Sequence, residues 1–297
     1  MKIGIIGAGK VGCSIGKYLV EHGISLTGYS SKTKESVDTA ATFTNTRALT
    51  LEKLVAQSNL IFITTPDDCI AEVWKQMVTH SLQGKIICHF SGSLSSVVFS
   101  KREEKGVSAC SLHPMYAFSD KFTSYKKLNE VMFTAEGDEE ALSVVCPIFE
   151  KIGNTVCVIP SDKKVRYHAA ASMVSNMMIG LYHMSINMLL DCGFQESEAR
   201  TLVKPLVEGN IEKLLATSPE QALTGPIERG DTSTIEKHLL QLTEAEQDVY
   251  VNLGLMLTDI AKRKNPQRDY SVIEAVLHRR ERALECSYTQ KQCRNEG

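Results

Sequence analysis

Along the first half of the chain, short apolar runs alternate with stretches in which apolar side chains recur every three or four positions. The runs fall at 2–6, 25–29, 60–64, 85–89, 107–112, 130–135 and 155–159, and read as strands. Between them the helical period appears at 11–21, 34–41, 50–57, 69–80, 95–104 and 139–151. Such β-α alternation predicts an α/β fold with a doubly wound, mostly parallel sheet covered on both faces. Asp67 and Asp68 stand before one helix and Asp138 before another, where N-caps are expected. From Asp162 onward no strand-like alternation appears, and the helical period returns at 165–190, 196–216, 232–239 and 244–261. Pro160-Ser161-Asp162 makes a natural link. The pattern therefore divides the chain into residues 1–160, with the sheet, and an all-α C-terminal domain at 161–297. The polar residues from Ser287 onward are expected to fray.

The first strand leads directly into Gly7-Ala8-Gly9-Lys10-Val11-Gly12, a G-x-G-x-x-G pattern opening a helix. In that context the pattern marks a Rossmann-type dinucleotide site. Gly7 permits the turn, Gly9 lets a pyrophosphate approach the backbone, and Gly12 lets helix and strand pack closely. Free N–H groups at the helix start, around Lys10 and Val11, then favour phosphate. At the end of the second strand an NAD site ordinarily carries a carboxylate for the ribose 2′-hydroxyl. Here the chain reads Tyr29-Ser30-Ser31-Lys32-Thr33-Lys34, whose hydroxyls and lysines suit the 2′-phosphate of NADP. Thr65 and Pro66, and Ser91 and Gly92, follow later strands at the carboxyl edge and are expected near the nicotinamide.

Three features point to the chemistry. His113 follows the strand 107–112 and can face the crevice. His168, Ser172 and Asn176 stand at i, i+4 and i+8 among Ala, Met, Val and Ile, a polar stripe that needs partners or a ligand. Beside a reduced nicotinamide, His168 could donate a proton to a carbonyl oxygen while Ser172 and Asn176 orient it. A polar network joining helices would equally explain the stripe. Arg229, in a loop with Asp231 and Thr232, could grip a substrate carboxylate bidentately, or fix the loop by a salt bridge. Asp231 or Thr232 could also cap the following helix.

Composition narrows the setting. A net charge of -2 over 297 residues offers no basic field for nucleic acid. No apolar run is long enough to span a membrane or serve as a signal peptide, so a cytoplasmic protein is expected. Nine cysteines, with no C-x-x-C pair, read as reduced core residues, and no metal site is expected. Cys13, at the start of the first helix, is the one placed where its thiol could be activated.

Gly7–Gly12, Leu112-His113-Pro114, the 168–176 helix and the 225–232 loop together resemble the Rossmann-like NADP oxidoreductases with a helical domain of the 6-phosphogluconate dehydrogenase type. Within that group the chain is similar to alternative bacterial ketopantoate reductases. The resemblance implies NADPH-dependent reduction of a small 2-oxo acid, ketopantoate to pantoate in coenzyme A synthesis, by a homodimer. Better-known ketopantoate reductases carry a lysine and two asparagines where this chain has His168, Ser172 and Asn176. Only the third matches, which makes His168 the replacement donor unless Lys163 or Lys164 reaches in from the preceding turn. Prephenate dehydrogenases and pyrroline-5-carboxylate reductases share the domain plan, so a dehydrogenase or imine reductase is an alternative. An NADP-binding sensor without turnover is another.

Overall fold

The computed structural model describes residues 1–278. Seven strands form one sheet in the order β2-β1-β3-β4-β5-β6-β7. They are β1 (Ile3–Ile6), β2 (Leu26–Ser30), β3 (Leu60–Ile63), β4 (Lys85–His89), β5 (Val107–Pro114), β6 (Phe133–Gly137) and β7 (Val156–Val158). β1 to β5 run parallel; β6 pairs antiparallel with β5, and β7 runs parallel to β6. The fold is the Rossmann-type, mostly parallel α/β sheet followed by helices. β1 and β3, in the middle of the sheet, are apolar throughout because both of their faces are covered. In β3, Leu60 and Phe62 enter one buried cluster while Ile61 and Ile63 enter the other.

The covering helices are α1 (Lys10–Glu21), α2 (Lys34–Thr44), α3 (Leu51–Gln57), α4 (Asp67–Met77) and α5 (Glu139–Glu150). Two starts differ from the sequence expectation. Asp67 and Asp68 lie inside the first turn of α4, which is capped at Pro66. Asp67 Oδ2 instead accepts from Ser91 Oγ (2.6 Å) and Ser93 Oγ (2.9 Å). Asp138 occupies the cap position of α5, but its carboxylate takes Arg102 and the Ala109 N–H rather than the helix. The stretch 95–104 forms no α-helix. It holds two 3-10 turns, Ser96–Val98 and Glu103–Lys105, because the Ser96 N–H and hydroxyl are drawn to Glu136.

After a 3-10 turn at Ser161–Lys163 come α6 (Lys164–Ser172), a π-helical turn (Met173–Met177) and α7 (Met178–Asp191). Then follow α8 (Glu196–Ala216), α9 (Pro219–Ala222), α10 (Pro226–Arg229), α11 (Thr232–Gln241) and α12 (Glu244–Lys264), and residues 271–278 are helical as well. Two compact units emerge, dividing between Met177 and Met178. The change from sheet to helix comes near 160, yet α6 and the π turn stay in the unit that holds the sheet. The second unit has its own core of Ile227, Ile235, Val251, Tyr270, Ile273 and Leu277. The polar tail from Ser287 lies outside the described residues. No helix among the described residues is long and apolar enough to cross a membrane.

Candidate functional site

The glycine loop forms as its spacing requires. Gly7 has φ +108°, a backbone conformation that side-chain-bearing residues rarely adopt. A Cβ on Gly12 would fall on the Gly7 carbonyl oxygen and 2.5 Å from Thr64 Oγ1, so Gly12 is dictated by packing of α1 on the strand ends. Gly9 is different, since nothing in the protein lies within 4 Å of a Cβ there. It borders a cavity of about 1200 Å³, and α1 begins at it with no side-chain cap. A bare glycine, an uncapped helix start and a large adjoining cavity together fit a dinucleotide pyrophosphate.

Gly7, Ser30, Ser31, Lys32, Lys34, Thr65 and Pro66 line the same cavity. Lys10, Val11 and Gly12 form the first turn of α1 beside it. Thr33 does not point to a ligand; its hydroxyl accepts from Ser36 N and caps α2. The far wall was not foreseen. Leu49 reaches it because 47–49 runs along β2, with Tyr29 N donating to Arg47 O and Leu49 N to Tyr29 O. Val73, Cys69 and Gln76 of α4 complete that wall.

The carboxyl ends of β3 and β4 carry the site onward. Ser91 Oγ bonds Asp67, the residue after Pro66. A Cβ on the neighbouring Gly92 would meet the His168 ring and, at 2.7 Å, His113 Nε2. The two histidine rings stand edge to face with centroids 6.0 Å apart. His113, His168, Ser172 and Asn176 border one cleft of about 370 Å³. Asn176 lies within the π turn rather than on a continuous α-helix, yet it still lines this cleft. Among the described residues no hydrogen bond occupies the side chains of Ser172 or Asn176.

His113 Nδ1 shares a hydrogen bond of 2.9 Å with Tyr167 OH. Burial, reinforced by the positive charge of Lys164 and by His168, pulls His113 down to about 4 against the opposing pull of Asp67. The ring is therefore neutral at neutral pH. His89, at the end of β4, is also held at about 4, by burial first and Lys164 second. Its Nδ1 accepts from Ser91 N, and no acceptor meets its Nε2 in hydrogen-bond geometry.

Comparison with known proteins divides the chain earlier, ahead of β6. Residues 1–114 match the Rossmann-like domain model, and residues 131–257 match the model of a domain of unknown function, DUF2520. The chain thus carries a Rossmann-like domain followed by a DUF2520 domain. No curated protein matches it. Among solved structures it is similar to protein TM1727 from Thermotoga maritima, at 28% identity and TM-score 0.72, over 88% of this chain and 99% of that one. A Bacteroides fragilis protein, BF3122, provisionally named an NADP oxidoreductase, aligns at 23% identity and TM-score 0.68, over 87% and 98%. Plasmodium falciparum pyrroline carboxylate reductase, solved with NADP bound, aligns at 15% identity and TM-score 0.56, over 89% and 96%. At such identities the last two show the common fold.

Arg229, Asp231 and Thr232 belong to the second unit. Asp231 caps α11, its Oδ1 accepting from Thr234 N at 3.1 Å. Arg229 ends α10 and Thr232 begins α11. Lys163 stays at the surface, paired with Asp162, whereas Lys164 turns inward and is 1% exposed. Burial pushes the Cys13 thiol up, the opposite of activation, and its Sγ donates to Ala8 O. The seven cysteines among the described residues are free. No group of three or more potential metal ligands comes together among the described residues.

Proposed function

We propose that this chain is an NADPH-dependent reductase of a small 2-oxo acid, with ketopantoate the leading candidate. The supporting observation is a glycine-loop cavity with Ser30, Ser31, Lys32 and Lys34 at one end, and strand ends that lead from it to a polar cleft. NADPH, when bound, supplies the hydride. Gly7–Gly12 holds the pyrophosphate, and the serines and lysines after β2 hold the 2′-phosphate. Thr65, Pro66, Ser91 and Gly92 form the nicotinamide end of the site. His168 delivers the proton that the substrate oxygen needs, and Ser172 and Asn176 orient that oxygen. Neutral His113, set by Tyr167, hydrogen-bonds the substrate. Arg229, with Thr232, serves the substrate carboxylate, a role separate from the capping that occupies Asp231.

Free Ser172 and Asn176 side chains favour turnover over a sensor, in which the stripe would be spent on internal hydrogen bonds. The pyrroline carboxylate reductase likeness supports a second reading, reduction of a cyclic imine carboxylate. NADPH oxidation, followed at its absorbance band against a panel of 2-oxo acids and cyclic imines, tests both. Oxidation by ketopantoate is expected. Tight NADPH binding with no oxidation by any of them would leave the sensor.

The same reading includes a cytoplasmic homodimer. Leu202, Leu206 and Leu215 on α8 and Met256 on α12 are exposed, an apolar load suited to a second copy. Light scattering at twice the chain mass is the expected result.

A further inference from the structure

Beneath the cleft lies a buried ionic assembly that this reading does not use. Glu136, on β6, is 1% exposed and accepts four hydrogen bonds. Oε1 takes Ser96 N (2.8 Å) and Ser111 Oγ (2.7 Å); Oε2 takes Ser96 Oγ (3.1 Å) and Ser161 Oγ (2.5 Å). Four donors fill the lone pairs of a carboxylate and leave no acceptor for an acid proton, so Glu136 is ionised. Ser111 spends its one hydroxyl proton on Glu136, and the same oxygen accepts from Lys164 Nζ. An inward lysine and a buried carboxylate are thus bridged by one serine hydroxyl.

The residues next to this bridge give it meaning. His168 stands four positions after Lys164, on the same face of α6. His113 stands two positions after Ser111, on the same face of β5. The Lys164–Ser111 contact therefore joins a helix face and a strand face whose next residues are the two histidines of the cleft. We propose that Lys164 is the positioning residue of the cleft, clamping the first turn of α6 to β5 through Ser111 and so setting the approach of His168 to His113. The proposal rests on the reductase reading of that cleft.

The clamp also carries charge. The groups acting on His113 are Lys164 and His168 from α6 and Asp67 from α4, and Lys164 is the leading charge among them. Lys164 in turn faces Glu136 on β6, Asp67 on α4, Cys88 on β4 and Cys110 on β5. Burying an ammonium is costly, and an apolar residue would hold a helix to a sheet at lower cost. A lysine here supplies what an apolar contact cannot, a positive charge that adds to burial in holding the His113 ring neutral.

The test is a histidine ring titration by NMR on the full chain, which needs no turnover. In the unaltered protein His113 titrates at about 4. In Lys164→Met it should rise by the share the lysine charge supplies, with burial still holding it below the ordinary imidazole value; the His113–His168 ring contact should weaken, and kcat should fall roughly tenfold or more at unchanged NADPH affinity. Lys164→Arg should restore the low titration. If Lys164→Met does not fold, Ser111→Ala carries the test by cutting the bridge while leaving both charges, and the ring contact should still weaken. A folded Ser111→Ala or Lys164→Met protein whose histidine rings titrate and contact as before would overturn the clamp. Ring changes in a protein that reduces no 2-oxo acid or imine would uphold the clamp and sink the reductase reading instead.

Discussion

The two halves of the candidate site are made of different materials. The nucleotide cavity is bounded at its core by backbone and by missing side chains, within the span Gly7–Gly12. The cleft is built from imidazoles, hydroxyls and an amide brought from β5, α6 and the π turn, above a buried lysine and glutamate. A phosphate can be held by N–H groups that any sequence owns, provided the chain keeps out of the way. Proton transfer needs particular side chains in particular protonation states, and those are set by distant neighbours.

The comparison breaks first at Gly12. Gly12→Val would drive a side chain into the Gly7 carbonyl, where backbone cannot yield. We expect roughly a thousandfold loss of NADPH affinity by fluorescence titration, about 4 kcal/mol, with a lower melting temperature. The end of β4 offers the next largest effect, through pH. His89 titrates at about 4 when folded, against 6.5 as an ordinary imidazole. The unfolded chain binds the extra proton first, so the stability due to neutral His89 is full above 6.5 and is lost as pH falls toward 4. The loss should approach about 3 kcal/mol in denaturant unfolding, and His89→Gln should flatten that part of the profile.

Gly9 sharpens the contrast with Gly12. Gly9→Ala meets no protein atom within 4 Å, so the melting temperature of the free protein should not move. NADPH affinity should nevertheless fall about tenfold, because the methyl occupies the pyrophosphate approach. Undiminished binding would remove the phosphate from that loop. The smallest effect is expected at the far end of the cavity. Lys32→Ala should weaken NADPH about fivefold and leave NADH nearly unchanged, as loss of one exposed charge contact would do.

What could be read in the sequence follows the same line. The sheet was legible because each strand is a local apolar run, and the glycine loop because its function lies in six consecutive residues. The stripe His168, Ser172 and Asn176 was legible as helical spacing, although the π turn at Met173–Met177 was not, since it leaves no mark on the apolar period. Asp67 and Asp138 read as caps because position alone suggests one, while tertiary partners, Ser91 and Arg102, claim both carboxylates. The Lys164–Ser111–Glu136 bridge was out of reach. It joins α6, β5 and β6 with Ser96 and Ser161 from two connections, and no spacing along the chain brings them together. Lys164 could be named only as one of two lysines near the start of the helix; burial separates it from Lys163.

The most direct measurement pairs turnover with binding in His168→Ala. If the cleft carries the proton transfer and the glycine loop carries the nucleotide, kcat for 2-oxo acid reduction falls by roughly a hundredfold or more while NADPH affinity stays within about twofold. Unchanged turnover, or equal losses in kcat and NADPH affinity, would contradict that division of labour.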